Sequence, residues 1–530
     1  SVGRVQSPTL GLIVTRDELI DHHKKQKYYE MEVQGDVEKQ DTTITFALKP
    51  KNDLLDDGKH ILSQKIMQDM CDDILKEPHR KMKVDEKLMD VKPPLPFNLA
   101  KLQAHMNTKY GFDLSKTDAI TQTLRDKYQA ITYNRSDSQY LKEEHFTEAA
   151  QVLTHVMKKL NETYPVDYKI HSECFNDKYV TAHHAIIPTM SDFNIAALLP
   201  DERKVYEEIC RQYIMQFLPP VKKRQVSAVI PTEYGDLKAT STFILDEGYK
   251  QYFKNNKEEK GDNEEVDTGK FDLPKGNYEV SLHDGIVNEK ETNPPKRYTQ
   301  ASLIKDMTSI AKYVEDKEIK EILKKKDKDK KGENGSIGTS ATRSQIVETL
   351  IKRGYVQMKG KNIISTQLGK DFYHLLPEEI KKADLTAKWW VIQEDIKEGN
   401  ADVSTLVQSV LDAFTPHLKE NLSNLKAGGE VPIDDDREAI GVCPVCGNKI
   451  VENSKGYGCV NYRNGCKFAI WKDDQFFKNI HKDVSKPMAE KLLKDKYCLV
   501  KLMEQEEEVV KILQLGIRNG RAVYRLLDKK

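Results

Sequence analysis

The chain has 530 residues, 38% hydrophobic and 32% charged, with 84 lysines and arginines matched by 84 aspartates and glutamates. That length calls for several domains, and the absence of a membrane-spanning apolar run or a signal peptide makes a cytoplasmic protein the default expectation. Zero net charge excludes a uniformly basic nucleic-acid binder but allows a basic groove on one side. The short basic clusters at residues 22–27, 324–331 and 352–361 are candidates for such a groove, or else solvated faces.

In chain order, Leu10, Ile13, Val14 and Leu19 are spaced as one face of an opening helix. Alternation in YYEMEVQ and TTITFAL predicts strands, and SAVIPTEYG and LKATSTFIL at 227–245 predict two more. These two strand groups are expected to meet in one sheet, so the chain leaves a β domain, builds a helical domain and returns. The helical part is marked by DLSKTDAITQTLRDKY, EEHFTEAAQVLTHVMKKL and residues 201–218, where Val205, Ile209, Tyr213 and Phe217 share a face. Proline pairs at 93, 219 and 294 punctuate these passages. The polar stretches 255–270 and 324–336 read as mobile loops. The acidic VPIDDDRE segment reads as a solvated hinge, with magnesium binding by its three aspartates as the alternative.

Within the helical part lies ITYNRSDSQYL, residues 131–141. A tyrosine hydroxyl, with an unperturbed pKa near ~10, attacks a phosphodiester only where a cation stabilises phenolate and phosphate together. Arg135 projects to the same side as Tyr133 in an extended segment and can grip a phosphate with its planar fork. Ser136, Asp137 and Ser138 add hydrogen-bond capacity for orienting that pair. The competing reading is a packed tyrosine at a strand end.

The eight cysteines divide unevenly. Cys71, Cys174, Cys210 and Cys498 read as ordinary thiols. Cys443, Cys446, Cys459 and Cys466 form a CxxC knuckle followed by a second pair, the pattern of a closed four-sulfur zinc site that serves folding. A redox CxxC would leave the second pair unexplained. Tyr457, Tyr462, Phe468 and Trp471, mixed with Lys455, Arg463, Lys467 and Lys472, either stack bases and track phosphates or pack around this small core.

The run ITYNRSDS closely resembles the ITYPRTDS signature around the nucleophilic tyrosine of type IA DNA topoisomerases. Asn134 stands where that family usually has proline or methionine, and Ser136 keeps the hydroxyl of its threonine. Further blocks occur in the family's order: SVGRVQSPTLGLIVTRD, PPLPFNLAKLQAHMNTKYGF, AHHAIIPT at 182–189, and GTSATRSQIVETLIKRGYV at 338–356. The HH and ATR versions point to the topoisomerase III branch.

The resemblance implies an α+β multidomain fold: a toroidal core of helical domains and a β arch, then a zinc ribbon and a C-terminal α+β repeat. The expected central region is 1–430, with the arch at about 29–90 and 222–295, a tyrosine-bearing helical domain at about 91–221, and a DNA-holding domain made of 1–28 plus about 296–430. The ribbon is placed at 441–472 and the repeat at 473–530. The resemblance also implies a 5′-phosphotyrosine intermediate on Tyr133, stabilisation by Arg135, and an active-site role for His183, with His184 as the competing choice. DNA contacts are expected from Ser1, Val2, Gly3, Arg4, Val5, Gln6, Thr342 and Arg343, because hydroxyls, amides and guanidinia bind phosphate oxygens without reading sequence. Single-stranded DNA is the expected partner, with a helicase as a candidate second one, and the protein is expected to be a monomer without membrane attachment.

No GxxxxGK[ST] loop is present, in keeping with a reaction that uses no ATP. Type IA enzymes also carry an N-terminal acidic Toprim domain whose carboxylates bind magnesium, and SVGRVQ falls after the point where it would end. The expectation is therefore a fragment that binds single-stranded DNA but relaxes supercoils poorly, with its magnesium ligands elsewhere. A non-catalytic DNA-binding remnant is the alternative. A relaxase or recombinase would need a histidine triad or arginine pair that the sequence does not offer.

Overall fold

The computed structural model describes residues 3–180, 182–253, 271–328, 330–424, 437–464, 466–504 and 507–528. Ser1, Val2, the predicted loop at 255–270 and most of the VPIDDDRE segment lie outside the described residues, as does the side chain of Arg463. Two compact units result, Ser1–Leu418 and Lys419–Lys530.

The first unit opens with α1 (Gln6–Asp21), whose Leu10, Ile13 and Val14 are fully buried. The predicted fourth member of that stripe, Leu19, is exposed, because the inward position is 17, the next helical step after 10, 13 and 14. Asp17 occupies it, accepting from the Ser365 amide and hydroxyl and pairing with Arg297. A buried carboxylate is tolerated there only because it is fully paired.

Six strands follow from two distant parts of the chain: β1 (Lys27–Val37), β2 (Thr43–Pro50), β3 (His79–Val91), β4 (Val221–Thr232), β5 (Gly235–Asp246) and β6 (Gly276–Glu291). The predicted single sheet does more than span an arch. It closes into a barrel of order β1-β2-β5-β4-β3-β6, with the two strand groups joined by β2 on β5, Ala47 opposite Lys238. Strict alternation turns Met31, Val33, Ile44, Phe46, Val226, Ala228 and Leu237 inward, and α2 (Gln64–Lys76) packs Met67, Met70, Cys71 and Ile74 onto the same core. Gly35 is required in this interior, since a Cβ there would stand 2.6 Å from the Val280 Cγ1.

Between β3 and β4 the chain inserts α3 (Leu99–Tyr110), α4 (Leu114–Asp126), α5 (Glu143–Leu160) and α6 (Pro200–Ile214). Val205, Ile209, Tyr213 and Phe217 are buried together, as their spacing predicts. After β6 come α7 (Gln300–Met307), α8 (Lys317–Lys326), α9 (Ser340–Lys352), the hairpin β7 (Val356–Lys359) and β8 (Asn362–Ser365), α10 (Gln367–Leu375), α11 (Glu378–Lys381), α12 (Asp384–Glu398) and α13 (Val403–Asn424). Leu10, Ile13 and Val14 share one core with Leu303, Met307, Val347 and Leu350, so the chain's first helix completes a bundle built mainly after residue 296.

The second unit has a four-stranded sheet of order β12-β11-β10-β9, from β9 (Ala439–Val442), β10 (Lys449–Asn453), β11 (Gly456–Cys459) and β12 (Ala469–Trp471). Helices α14 (Gln475–Asn479) and α15 (Lys486–Asp495) lead to an antiparallel meander of β13 (Tyr497–Glu504), β14 (Glu507–Arg518) and β15 (Arg521–Asp528). Ile450, Tyr457, Phe468 and Ile470 pack in the same core as Phe477, Leu492 and Leu513, so the two expected C-terminal modules share one hydrophobic interior.

Candidate active site

One face of α4 lies along the tyrosine segment and holds it residue by residue. Asp118, Thr121 with Gln122, and Arg125 recur at helical spacing, and they meet Arg135, Asn134 and Tyr133 in reverse order. The Asn134 amide donates to the Thr121 hydroxyl at 3.2 Å and to the Gln122 side-chain oxygen at 3.3 Å, and the residue is completely buried. These bonds supply the local rigidity that a proline would otherwise provide. Ser136 and Ser138 bond their own backbone and the Tyr179 carbonyl rather than the Tyr133–Arg135 pair, so they shape the loop.

Arg135 itself is half exposed and meets Asp118 at 3.7 Å. Burial pushes the Asp118 carboxyl above its ordinary value, and the Arg135 charge with a Ser344 hydrogen bond only partly offsets this. The guanidinium is thus placed by a long, loose contact and is free to take a better anionic partner. Its carbonyl accepts from the Ser340 hydroxyl at 2.8 Å, which ties the segment to the start of α9.

AHHAIIPT runs beside this segment as short bridges. Ile131 pairs with Pro188 and Phe97 with Ile186, and the Thr132 amide donates to the Ile187 carbonyl. That register brings the exposed His183 ring onto Tyr133, with centroids 4.2 Å apart at 34°. His184 turns the other way, against His145 at 4.4 Å, and burial pushes its imidazole below the ordinary value. The two neighbouring histidines are therefore distinguished by geometry, and His183 is the one beside the phenol. Arg125, which sequence reasoning missed, lies over the Tyr133 ring at 4.7 Å, and both line an open depression of about 820 Å³ together with Thr132 and Thr189. The signal that could have found it is the helical spacing from Asp118.

A second cavity, about 710 Å³, is lined by Arg4, Val5, Gln6 and Thr342 together with Lys330 and the indole of Trp390. Four of the predicted contact residues thus meet although residues 4–6 and 342 are far apart in sequence. Gly3 lies outside that lining and its amide donates to the Ser7 hydroxyl. Arg343 requires a correction. Its guanidinium is fully buried, donating to the Ile337 and Gly338 carbonyls and pairing with Glu333 at 2.6 Å, so it braces a loop rather than facing the cavity.

That loop is itself a second correction. Residues 324–336, predicted as a mobile polar stretch, include the last turn of α8 and a segment in which Asp327 and Ser336 are buried. Lys330 pairs with Asp137 at 2.8 Å and Lys331 lies over the Tyr140 and Tyr179 rings, so the lysines clasp the tyrosine segment. Composition alone could not show that these charges had partners.

A family model described as DNA topoisomerase matches residues 1–408. The chain belongs to this family. Curated relatives that it resembles over most of its length are each named DNA topoisomerase 3. That of Pasteurella multocida is 33% identical over 438 residues, covering 79% of this chain and 65% of the relative. The Haemophilus influenzae protein is 34% identical, covering 79% and 64%, and the Vibrio cholerae protein is 33% identical, covering 73% and 60%. The chain therefore spans somewhat less than two thirds of these relatives' length. Among solved structures, full-length topoisomerase I of Thermotoga maritima is similar in fold, with a TM-score of 0.51 at 20% identity over 98% of this chain and 72% of that one.

In the second unit the four ribbon cysteines converge, with all Sγ atoms within 4.8 Å of one another. Cys443 and Cys466 are 3.7 Å apart and Cys446 and Cys459 3.4 Å. Four thiolates around one ion at ~2.3 Å would stand ~3.8 Å apart, so the set fits a tetrahedral metal. Tyr457 and Phe468 are buried in the adjoining core, whereas Tyr462 and Trp471 are exposed. The packing reading thus holds for Tyr457 and Phe468, while Tyr462 and Trp471 lie at the surface. Among the described residues no helix is long and apolar enough to cross a membrane.

Proposed function

We propose that this chain carries the strand-breaking centre of an ATP-independent topoisomerase acting on single-stranded DNA. The Tyr133 oxygen bonds to phosphorus as the P–O3′ bond breaks; the phenol gives up its proton and the leaving oxygen takes one up. The products are a 5′-phosphotyrosine and a free 3′-hydroxyl. Attack by that hydroxyl reverses the step, so the linkage conserves the phosphodiester's energy and the gap reseals after strand passage, relaxing or decatenating DNA.

The observation that carries this reading is the Tyr133 ring held against His183 and under Arg125 at the wall of an open depression, two residues from a loosely paired guanidinium. Arg135 stabilises the charge that develops on phosphorus, worth ~3 kcal/mol by comparison with single oxyanion donors. His183 hydrogen-bonds the phosphate or orients the phenol. Arg4, Gln6 and Thr342 track the DNA backbone through the second cavity, and a helicase that opens duplex would supply the single strand. Zinc is the ion that suits four thiolates, and it would stabilise the second unit's fold. For the magnesium that the family implies, the described residues offer no cluster of three metal-ligating side chains besides the cysteines, so no step here runs through it.

The test is a labelled single-stranded oligonucleotide trapped with detergent. The chain is expected to give a covalent adduct that Tyr133→Phe abolishes while still binding DNA. An adduct that persists in the phenylalanine variant would sink the assignment, and DNA binding with no adduct in the unaltered chain would favour a purely DNA-binding role.

A further inference from the structure

Of the four side-chain contacts that α4 makes along the tyrosine segment, three are polar and anchor the backbone's neighbourhood, and the fourth touches the nucleophile's own ring. Arg125 has weak competition for its position. Asp126 is 3.8 Å away with both side chains substantially exposed, an ion pair worth little. The guanidinium instead covers the Tyr133 ring, a cation–π contact. It projects from the last turn of α4, where the helix dipole favours a cation. Because the same helix is tied to Arg135 through Asp118 and to Asn134 through Thr121 and Gln122, the guanidinium is registered to the loop that carries the ring.

A tyrosine side chain has two soft torsions, and the direction of its hydroxyl follows from them. His183 lies against the Tyr133 ring at 4.2 Å, and the Arg125 contact adds a second restraint from a different element. Both arginine and phenol line the same open depression. We propose that Arg125 is a positioning residue: held over the Tyr133 ring from the end of α4, it fixes the ring plane so that the hydroxyl meets an incoming phosphodiester in line. Arg125 acts through the ring and not on the phosphate, which distinguishes its part from that of Arg135. This rests on Tyr133 being the nucleophile.

The experiment uses the full chain with 3-fluorotyrosine at position 133, and Arg125→Gln and Arg125→Lys variants matched for thermal unfolding. In Arg125→Gln the fluorine resonance is expected to shift and broaden. The single-turnover rate of adduct formation at saturating oligonucleotide is expected to fall ~30-fold, as misplacement of a reacting group does. Its Kd should stay within ~2-fold, the pattern of a lost orienting contact rather than lost binding. Lysine, which can also lie over the ring, should recover most of the rate and the resonance. An unchanged fluorine resonance in Arg125→Gln overturns the proposal, and so does a defect confined to Kd, which would make Arg125 a DNA contact. Tyr133→Phe separates the two levels: an adduct surviving in that variant defeats the nucleophile assignment, while the fluorine resonance still judges Arg125 by itself.

Discussion

Arg135 and Arg343 come from two motifs that promised the same thing, a guanidinium for DNA phosphate, and the fold uses them in opposite ways. Arg343 is sealed, with Glu333 at 2.6 Å and two carbonyls filling its fork. Arg135 is half exposed, with Asp118 at 3.7 Å. The carboxylates record the difference. Burial would raise Glu333, but the Arg343 charge and hydrogen bond outweigh it and hold the group below its ordinary value. For Asp118 burial prevails and the carboxyl is raised. Arg343, with its fork filled, braces a loop, and Arg135, exposed and at a longer distance from its carboxylate, is the one proposed to meet a phosphate.

The largest expected effect that would break this contrast is on stability. Arg343→Ala leaves Glu333 buried with only a Ser336 hydrogen bond and the Lys330 charge, and should lower the unfolding free energy by ~3 kcal/mol, read by chemical denaturation. A loss under ~1 kcal/mol would mean the brace is dispensable. Arg135→Ala should do the reverse, leaving stability within ~0.5 kcal/mol while lowering the adduct-forming rate by ~10²-fold or more. Equal losses of stability in both variants would erase the distinction.

Acid should separate the two pairs by sign. Glu333 is lowered in the folded state, so its contribution is fully present above the unfolded carboxylate value of 4.5 and is lost as pH falls toward its folded value. Asp118 is raised above 3.8, so its charged form is a cost that is full above the folded value and vanishes in acid. Glu333→Gln is therefore expected to remove part of the acid sensitivity of unfolding, and Asp118→Asn to leave neutral-pH stability unchanged or slightly higher. Denaturation curves followed from pH 7 downward would show whether the signs are as stated.

Smaller stability losses than that of Arg343→Ala should come from the bonds that set the tyrosine segment in place. Asn134→Ala removes a buried and a partly buried hydrogen bond to α4 and should cost ~1–2 kcal/mol, together with a slower adduct step. Ser340→Ala removes only the bond to the Arg135 carbonyl and should cost ~1 kcal/mol or less. If the serine change proves the more damaging to adduct formation, then α9, not α4, is the principal support of the loop.

Much of the architecture was legible because it follows periods. Alternation marked β1, β2, β4 and β5, and the stripe through Val205, Ile209 and Tyr213 marked α6. The cysteine spacing foretold a converged set of four sulfurs, which covalent geometry and a small sheet make nearly inevitable. Leu19 misled because a hydrophobic residue was counted where Asp17 takes the inward position through partners at Arg297 and Ser365. The lysines of 324–331 misled for the same reason, their partners Asp137, Tyr140 and Tyr179 lying far away in sequence.

What the order of residues determined alone was chemistry in short range: a phenol two positions from a guanidinium, paired cysteines, and the faces of helices and strands. Tertiary structure decided which groups are used and which are sealed. It set His183 rather than His184 on the phenol, spent Arg343 inside the fold, left Arg135 open and brought Arg125 over Tyr133. The reason is that local patterns fix direction and period, whereas exposure and pairing of a charge depend on what the rest of the chain packs against it.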